Sequence, residues 1–356
     1  MRILQICSAR YIGGGERHVA DLSNALVDRG HDVFAAVAPG SPVVADLDNI
    51  AASDVATLPL RNAVDLVSAV KIARFVRQNR IELIHAHIAK DYLIAAAAAR
   101  LANIPYIITR HVLFPMNRVH RRLLTKASYV IAVSNAIAKQ LQSDDIFPPR
   151  KIVTIRYGID IDRFPEPAPK NSETCRVGTI GNLDPVKGMD VFVRAAALIC
   201  ARRFDIEFEI IGEDRSRSRA NEKELRDLIS DLDLENQIVL TGWSNDIGGR
   251  LADIDVFVSA SRSESFGAAM AEAMLSGVAV VATETEGAKE IISDATIGQL
   301  VPIDSPEAIA GSILELLENP EKRHELGRAG RSHVIENFSL ERMVSEIESL
   351  YRSVIH

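Results

Sequence analysis

The sequence predicts an α/β protein of two Rossmann-like domains, each a parallel sheet covered by helices. Short β-branched segments alternate along the chain with longer segments of helical apolar spacing, which is the pattern of repeated βα units. Three prolines within residues 165–169 interrupt this pattern, and it then starts again. The length of 356 residues also exceeds what one hydrophobic core usually supports.

The first half of the chain carries six predicted strands and four predicted helices. The strands are expected at residues 3–7, 33–37, 83–87, 106–109, 129–133 and 152–156, and the helices at residues 16–29, 64–78, 91–101 and 136–141. Gly30 follows the first helix as a C-terminal stop signal, since glycine adopts the left-handed conformation at little cost.

The second half repeats the pattern after the proline-rich segment. Strands are expected at residues 176–180, 207–211, 238–240, 256–259 and 278–282, and helices at residues 189–202, 222–231, 267–275, 306–317 and 340–354. We therefore predict an N-terminal domain (1–164), a linker (165–174), a C-terminal domain (175–338) and a final segment (339–356) that packs back on the N-terminal domain. Two such domains are expected to face each other across a cleft, with ligands at the carboxyl ends of the strands.

Composition and charge exclude several functional classes. The net charge of -7 argues against a nucleic-acid-binding protein, which needs a clustered basic surface. The three cysteines have no metal-binding spacing, and their odd number suggests reduced thiols in the cytosol. The N-terminus lacks the features of a signal peptide, and the longest apolar run, residues 92–99, is too short to cross a bilayer. We expect a cytoplasmic protein.

The segment that most strongly indicates a binding site follows a predicted strand that ends at Ser259. A polar turn comes next, and a helix starts near Gly267. Free N–H groups at a helix N-terminus suit a phosphate. Glu264 lies in the turn and can accept hydrogen bonds from sugar hydroxyls, whereas Glu272 lies about 8 Å along the helix, where a ribose diol could be bound. The alternative to a ligand site is that the carboxylate near the helix start, Glu264, caps the helix and that Glu272 is a solvated surface residue. The apolar neighbours of Glu272 favour a ligand, because a buried carboxylate needs a partner.

This segment resembles the retaining GT-B glycosyltransferases of family 4, also described as glycosyl transferases group 1. The family pattern is Glu-Gly-Phe-Gly, then Glu-Ala-Met, and here it reads Glu264-Ser265-Phe266-Gly267 and then Glu272-Ala-Met. The resemblance implies that Glu264 contacts the donor sugar, that Glu272 contacts the ribose, and that the turn between them binds the donor. Ser265 replaces a common glycine without removing a contacting side chain.

Gly13, Gly14 and Gly15 follow the first predicted strand and match the family's Gly-Gly-x-Glu loop. The resemblance implies that this loop approaches the donor phosphates, which the missing side chains permit. A plain tight turn is the commoner reason for a glycine triplet. The Gly-x-Gly-x-x-Gly dinucleotide spacing is absent from the sequence, so a dehydrogenase is not expected.

Residues 181–188 resemble the family's turn in which an arginine and a lysine neutralise the diphosphate leaving group. Lys187 matches the lysine, but Asn182 stands where the arginine is expected, so the second cation is missing or supplied elsewhere. An ordinary surface lysine is the alternative, although the helix dipole disfavours a cation at a helix start. Gly242 stands where the family's main chain holds the base.

His111 follows a predicted strand and matches a family histidine close to the donor sugar and the acceptor, so the resemblance implies a catalytic role. A lone histidine at a strand end is more often structural. His85 and His87 share one face of another strand, but two histidines without a third ligand are poor evidence for a metal. We therefore predict no metal and treat these two as packing and site-wall residues.

The resemblance covers nearly the whole chain and implies a function. The N-terminal domain would be the acceptor side and the C-terminal domain would bind the nucleotide sugar, with a UDP-sugar favoured. A hexose or N-acetylhexosamine would be transferred with retention, without a cofactor, to a saccharide or lipid-linked acceptor in cell-surface glycan synthesis. The alternatives are a nucleotide-sugar epimerase, a phosphorylase with a pyridoxal lysine, and a non-catalytic nucleotide-sugar-binding protein.

Four cations lie within residues 117–126 of this acidic chain. On a helix, Arg118, Arg121, Arg122 and Lys126 would share one face, with apolar residues nearby. Such a helix could rest on anionic lipid, which fits a lipid-linked acceptor and a peripheral position at the inner face of a membrane. A solvated basic face is the commoner alternative.

Overall fold

The computed structural model describes residues 1–116, 121–165, 175–203, 205–216 and 218–355, without the side chains of residues 121 and 122. The chain forms two compact units. The first unit is Met1–Asp160 together with Leu340–His356, and the second is Ile161–Ser339. Each unit has a parallel sheet and a hydrophobic core of its own.

The first unit is built on a seven-stranded sheet. Its strands are β1 (Arg2–Cys7), β2 (Asp32–Val37), β3 (Val55–Thr57), β4 (Leu83–Ala86), β5 (Tyr106–Arg110), β6 (Tyr129–Ala132) and β7 (Ile152–Thr154). Its helices before the second unit are α1 (Gly14–Asp28), α2 (Leu66–Gln78), α3 (Tyr92–Ala102), α4 (Arg121–Leu124) and α5 (Asn135–Asp144). The strand order is β3-β2-β1-β4-β5-β6-β7, and every neighbouring pair is parallel.

The second unit is built on a six-stranded parallel sheet. Its strands are β8 (Cys175–Ile180), β9 (Ile206–Ile211), β10 (Ile238–Gly242), β11 (Val256–Ser259), β12 (Ala279–Thr283) and β13 (Gln299–Val301), in the order β10-β9-β8-β11-β12-β13. Its helices are α6 (Met189–Cys200), α7 (Ala220–Asp231), α8 (Ile247–Asp253), α9 (Ala268–Leu275), α10 (Glu286–Ile291), α11 (Pro306–Glu318) and α12 (Pro320–Asn337).

The central strands are buried on both faces, which explains their continuous apolar runs. In β1, Ile3, Leu4 and Ile6 are all inaccessible to solvent, and β12 is buried along its whole length. Six of the described helices, α2, α5, α8, α10, α11 and α12, begin with a side-chain cap that satisfies one of the free N–H groups. Asp65, for example, accepts a hydrogen bond of 3.0 Å from the amide of Ser68 at the start of α2.

A final helix, α13 (Leu340–Arg352), follows the second unit in the chain and belongs to the core of the first. Its apolar face buries Met343, Val344, Ile347 and Tyr351. The Tyr351 hydroxyl lies 2.6 Å from Nδ1 of His85, which lies in β4. The helix therefore completes the core of the first unit.

The predicted two-domain parallel α/β fold is confirmed, although several elements were not predicted. The strands β3 and β13 are three residues long, too short to show a period. Helix α12 is polar over most of its surface and buries two glycines, and a Cβ on Gly327 would overlap the carbonyl oxygen of Gly277. The division between units falls after Asp160 rather than residue 164, since Arg331 of the second unit donates to the carbonyl of Phe164.

In each sheet the chain order reverses between two central strands, β1 and β4 in the first unit and β8 and β11 in the second. Ligands of such folds bind at the carboxyl ends of the strands at this reversal. The glycine loop follows β1, the Lys187 turn follows β8 and the Glu264 turn follows β11, whereas His111 follows β5 and Gly242 ends β10. Among the residues that the structure describes, no helix has both the length and the apolar character to span a membrane.

Candidate functional site

Two turns of the second unit bring Lys187 and Glu264 together. Lys187 ends the turn after β8 and Glu264 lies in the turn after β11, and Nζ of Lys187 is 2.7 Å from Oε2 of Glu264. The hydroxyl of Ser261 donates to the same carboxylate oxygen at 3.3 Å. The Glu264 side chain is 15% exposed and that of Lys187 is 29% exposed. The ion pair is therefore formed and still accessible from solvent.

Gly188 allows the two turns to approach each other, and Gly287 allows α10 to approach the Glu264 turn. Gly188 has φ +65°, and a Cβ there would overlap the carbonyl oxygen of Ala260 at the end of β11. Gly287, in α10, donates its N–H to the Glu264 carbonyl at 3.1 Å, and a Cβ there would lie 2.8 Å from the same oxygen. Any side chain at either position would displace the backbone that carries Lys187 or Glu264.

Arg262 connects the two turns. Its guanidinium donates to both carboxylate oxygens of Asp190 at 2.9 and 2.8 Å, to Asp304 at 2.7 Å and to the Pro185 carbonyl at 2.6 Å. Its backbone N–H donates to the Val186 carbonyl at 2.8 Å. The hydrogen bonds from Arg262 lower the pKa of Asp190. Arg262 was not predicted as a site residue from the sequence, because its side-chain partners lie 42 to 77 positions away.

The helix α9 starts directly after this turn. Gly267 precedes it with φ +102°, Phe266 is buried, and Ser265 is half-buried. Glu272 is half-buried, so the expectation that it is buried was wrong. Glu272 lies one turn beyond Ala268 on the same face of α9, and that face is partly open to solvent.

The carboxyl ends of β8, β9 and β10 are lined by glycines. A Cβ on Gly212 would overlap the carbonyl oxygen of Gly181, and the Gly212 N–H donates to the Gly242 carbonyl at 2.8 Å. Trp243 follows Gly242 with 42% of its surface exposed, and the guanidinium of Arg215 lies 4.7 Å above its ring.

In the turns after β8 and β11, which the structure describes in full, no arginine without a carboxylate partner replaces the one missing at position 182. Asn182 itself is half-buried at the end of β8. The arginine bonded to this turn, Arg262, is already paired with Asp190 and Asp304. Lys187 therefore remains the cation that the two turns offer to a ligand.

In the first unit the glycine loop starts α1. The N–H of Gly13 donates to Oε2 of Glu16 at 3.0 Å, and the carbonyl of Gly14 accepts from the hydroxyl of Tyr157 at 2.9 Å. A Cβ on Gly15 would lie 3.4 Å from Cγ of His111. The loop thus lies directly against the His111 ring.

His111 lies within a buried group of histidines. His85, predicted to pack, bonds through its ring nitrogens to Tyr351 at 2.6 Å and to Thr109 at 2.7 Å. The His87 ring lies 4.0 Å from the His85 ring, centroid to centroid, and 5.6 and 5.9 Å from the rings of His18 and His111. Burial lowers the pKa of His18 to about 3 and lowers the pKa values of His85, His87 and His111 well below their ordinary value. All four rings are therefore neutral at pH 7.

The predicted basic helix is only partly described. Residues 117–120, which include Arg118, lie outside the described residues, and so do the side chains of Arg121 and Arg122. Lys126 is exposed, and Leu123 and Phe114 nearby are 57% and 74% exposed. Leu124, by contrast, is buried in the first unit. The shared basic face thus stays a prediction.

Two family profiles match the chain in tandem. Glycosyltransferase Family 4 matches residues 12–163, and Glycosyl transferases group 1 matches residues 160–333. A phosphatidyl-myo-inositol mannosyltransferase of Mycolicibacterium smegmatis is 28% identical over 346 residues, covering 91% of this chain and 86% of the relative. An N-acetyl-alpha-D-glucosaminyl L-malate synthase of Bacillus anthracis is 25% identical over 312 residues, covering 82% and 80%.

Solved structures show the same fold. Anabaena HepE in complex with UDP and glucose superposes with a TM-score of 0.88 at 22% identity, covering 99% of this chain and all of the other. Sucrose-phosphate synthase of Thermosynechococcus elongatus gives a TM-score of 0.81 at 21% identity, covering 99% and 98%. The fold is that of the GT-B glycosyltransferases. The chain belongs to the family 4, group 1 glycosyltransferases and is a glycosyltransferase.

Proposed function

We propose that this glycosyltransferase moves a hexose or N-acetylhexosamine from a UDP-sugar to a saccharide or lipid-linked acceptor, with retention of configuration, in cell-surface glycan synthesis. The observation that carries the proposal is the accessible Lys187–Glu264 ion pair at the chain reversal of the second unit. HepE bound to UDP and glucose supports the donor, and the phosphatidyl-myo-inositol mannosyltransferase supports a lipid-linked acceptor.

The second unit supplies the donor contacts. A nucleotide sugar that enters the ion pair offers a diphosphate to Lys187 and hydroxyls to Glu264, so each charge exchanges one partner for another. The open face of α9 presents Glu272 to the ribose, and the backbone around Gly242 holds the base. With Asn182 uncharged, the leaving diphosphate depends on Lys187 and on the free N–H groups that start α9.

Retention follows without a covalent intermediate. With the donor bound, Glu264 accepts hydrogen bonds from the sugar hydroxyls and from Ser261, which makes it a donor-binding residue rather than a nucleophile. The acceptor hydroxyl attacks from the side of the departing diphosphate, which takes the hydroxyl proton. His111 of the first unit, kept neutral by burial, is a hydrogen-bond partner for substrate hydroxyls. No metal and no cofactor take part, so activity persists in chelator.

A thermal-shift panel of UDP, GDP, ADP and dTDP with their common sugars tests the donor. A ligand at about 100 times its Kd adds about 2.7 kcal/mol of stability, and we expect the largest shift with a uracil nucleotide. NMR of the product of the best donor then shows whether the anomeric configuration is retained, and an inverted product would contradict the proposed course. Conversion of the nucleotide sugar without acceptor would indicate an epimerase, and binding without turnover a non-catalytic protein.

A lipid-linked acceptor would place the first unit at an anionic membrane, and the enzyme would be cytoplasmic and peripheral. Exposed Lys126, with exposed Leu123 and Phe114 nearby, supports this, together with Arg118, Arg121 and Arg122 of the same segment. Each basic residue near an anionic surface contributes about 1 kcal/mol.

Vesicle co-sedimentation tests the membrane contact. The wild type should sediment with anionic vesicles at low ionic strength and be released by salt, whereas Arg121→Glu with Arg122→Glu should stay in the supernatant. The matched control is Lys223→Glu with Arg226→Glu on α7, where both side chains are exposed. If the wild type never sediments, or if the first double variant behaves like the control, the patch does not bind membrane.

A further inference from the structure

Three histidines from separate elements meet in the first unit. His18 lies in α1, His87 directly follows β4 and His111 directly follows β5. One ring nitrogen of each lies within 4.8 Å of those of the other two. The ring centroids are 5.6 Å apart for His18 and His87, 4.8 Å for His18 and His111, and 5.9 Å for His87 and His111. We refer to these three residues as the histidine cluster.

The cluster has nearly the dimensions of a metal site. Tetrahedral Zn²⁺ with Zn–N bonds of about 2.05 Å places its ligand nitrogens about 3.4 Å apart and the ring centroids about 5 Å apart. The observed centroid separations lie around that value. Binding an ion requires the rings to turn until the nitrogens, now within 4.8 Å of one another, lie about 3.4 Å apart.

The nitrogens that would bind the ion lack partners. Among the residues that the structure describes, both ring nitrogens of His18, Nδ1 of His87 and Nε2 of His111 have no hydrogen-bond partner. His18 is inaccessible to solvent and His87 is 2% exposed. Buried polar atoms are normally hydrogen-bonded, so four such nitrogens in one cluster indicate a missing ligand.

The surroundings of His87 prepare it for a metal. Its Nε2 lies 2.8 Å from Oε1 of Gln5, an acceptor, so Nε2 carries the proton and Nδ1 presents a lone pair. The amide of Gln5 is held in turn by the Tyr351 hydroxyl at 3.3 Å. Metal-binding histidines commonly donate their second ring N–H to a fixed acceptor in this way.

We propose that the histidine cluster binds one divalent ion of the Zn²⁺ type, with a water molecule as the fourth ligand. Three imidazoles suit Zn²⁺, Cu²⁺ or Ni²⁺ and not Mg²⁺ or Ca²⁺. This inference rests in part on the proposed function, in which His111 faces substrate. An ion that occupies His111 withdraws it from substrate, so the metal inhibits the transferase and the metal-free enzyme is the active form.

Calorimetric titration of chelator-treated full-length enzyme with Zn²⁺ tests the site without reference to activity. The wild type should bind one ion, with no comparable binding of Mg²⁺. His18→Gln and His87→Gln should each weaken Zn²⁺ binding at least tenfold, and His324→Gln, which changes an exposed histidine of the second unit, should bind like the wild type. Equal affinity in all four proteins, or no binding by the wild type, would overturn the site.

A second measurement needs no variant, in case loss of a buried histidine prevents folding. Co²⁺ added to the wild type should give the visible absorption of a four-coordinate nitrogen site, and Zn²⁺ should abolish it. Spectra that remain those of hexa-aqua Co²⁺ would overturn the proposal.

Turnover measured with increasing Zn²⁺ separates this inference from the proposed function. We expect stoichiometric inhibition that chelator reverses. Binding without inhibition would overturn the inhibitory role and the role of His111 while keeping the site. A sugar-transferring enzyme that binds no Zn²⁺ would overturn the metal site alone.

Discussion

Glu264 and Lys187 are two single residues that only the fold brings into contact. They are 77 positions apart in the sequence and meet in an ion pair of 2.7 Å, supported by Ser261. Glu272 is separate from this pair, on the open face of α9. The two glutamates therefore have different surroundings, and their replacement should have different effects.

Glu272→Ala should weaken the binding of free nucleotide about 10- to 100-fold, because it removes a charge-assisted contact of about 1.5–3 kcal/mol. Glu264→Ala should leave free nucleotide binding nearly unchanged and lower the turnover of the nucleotide sugar. Calorimetry with UDP and steady-state kinetics measure the two effects. The control is Glu307→Ala, at an exposed position in α11. Equal losses of nucleotide affinity in both variants would contradict the assignment.

His111→Ala should lower the transfer rate about 10²-fold or more if the ring shapes the transition state. Single-turnover kinetics with saturating donor measure the chemical step. The comparison is His324→Ala, which removes an exposed histidine from the second unit. A rate equal to that of the wild type, in a protein with an unchanged melting temperature, would leave His111 with a structural role only.

At the scale of elements, the position of the Lys187 turn is set by contacts outside it. Arg262, on the turn after β11, bonds to Asp190 at the start of α6 and to the Pro185 carbonyl. Gly188 allows the same two segments to touch. The geometry of the ion pair is thus determined by how β8 and β11 present their turns to each other.

Arg262→Ala should raise the KM for the nucleotide sugar and lower kcat/KM about tenfold, because the Lys187 turn loses its connection to the Glu264 turn. Stability should change by only about 0.5–1 kcal/mol, since the side chain is partly exposed. Arg262→Lys should restore little, as lysine cannot bind a carboxylate through two parallel hydrogen bonds.

Arg226→Ala serves as the control for this prediction. It breaks an exposed Arg–Glu ion pair within α7, remote in sequence from both turns. Kinetics and chemical denaturation of Arg262→Ala, Arg262→Lys and Arg226→Ala distinguish an effect on the position of the Lys187 turn from an effect on the stability of the protein. If Arg262→Ala loses stability and keeps kcat/KM, Arg262 is a structural residue.

At the scale of the whole molecule, the first unit buries four neutral histidines and closes its core with α13, which the chain reaches only after the second unit is complete. Tyr351 of α13 bonds to both Gln5 and His85. The stability of the first unit therefore depends on the C-terminus and on pH.

Stability should fall as the pH drops below 6.5. The unfolded chain protonates these histidines near their ordinary pKa of 6.5, whereas burial keeps them neutral in the folded state. The unfolded state then binds more protons, and each histidine costs up to about 1.4 kcal/mol per pH unit below 6.5. Above pH 6.5 the histidines are neutral in both the folded and the unfolded state, so no stability is lost through their protonation. Urea denaturation between pH 8 and pH 5 measures it.

His18→Gln should reduce this pH dependence by about one proton, and His324→Gln is the control for loss of a histidine. A wild-type denaturation midpoint that does not fall between pH 6.5 and 5 would show that the cluster is protonated in the folded state.

The fold could be predicted from the sequence because its signals are local. Continuous β-branched runs, helical apolar spacing and a proline-rich interruption each depend on neighbouring residues, and they suffice for two parallel α/β domains. The turns that carry Lys187, Glu264, Gly242 and the three glycines were also visible, because glycines and polar residues at strand ends mark sites in such sheets. Short elements such as β3 and β13 were missed, since three residues show no period.

The tertiary structure decided which of these residues meet. The sequence contains His18, His87 and His111 at unrelated positions, and only the sheet order that places β4 beside β1 and β5 brings them together. The same holds for Arg262, whose side-chain partners are distant in the chain. Secondary structure depends mainly on residues that are adjacent in the chain, so it can be predicted from the sequence. A site depends on which distant strand ends lie side by side, and no single segment of the sequence determines that.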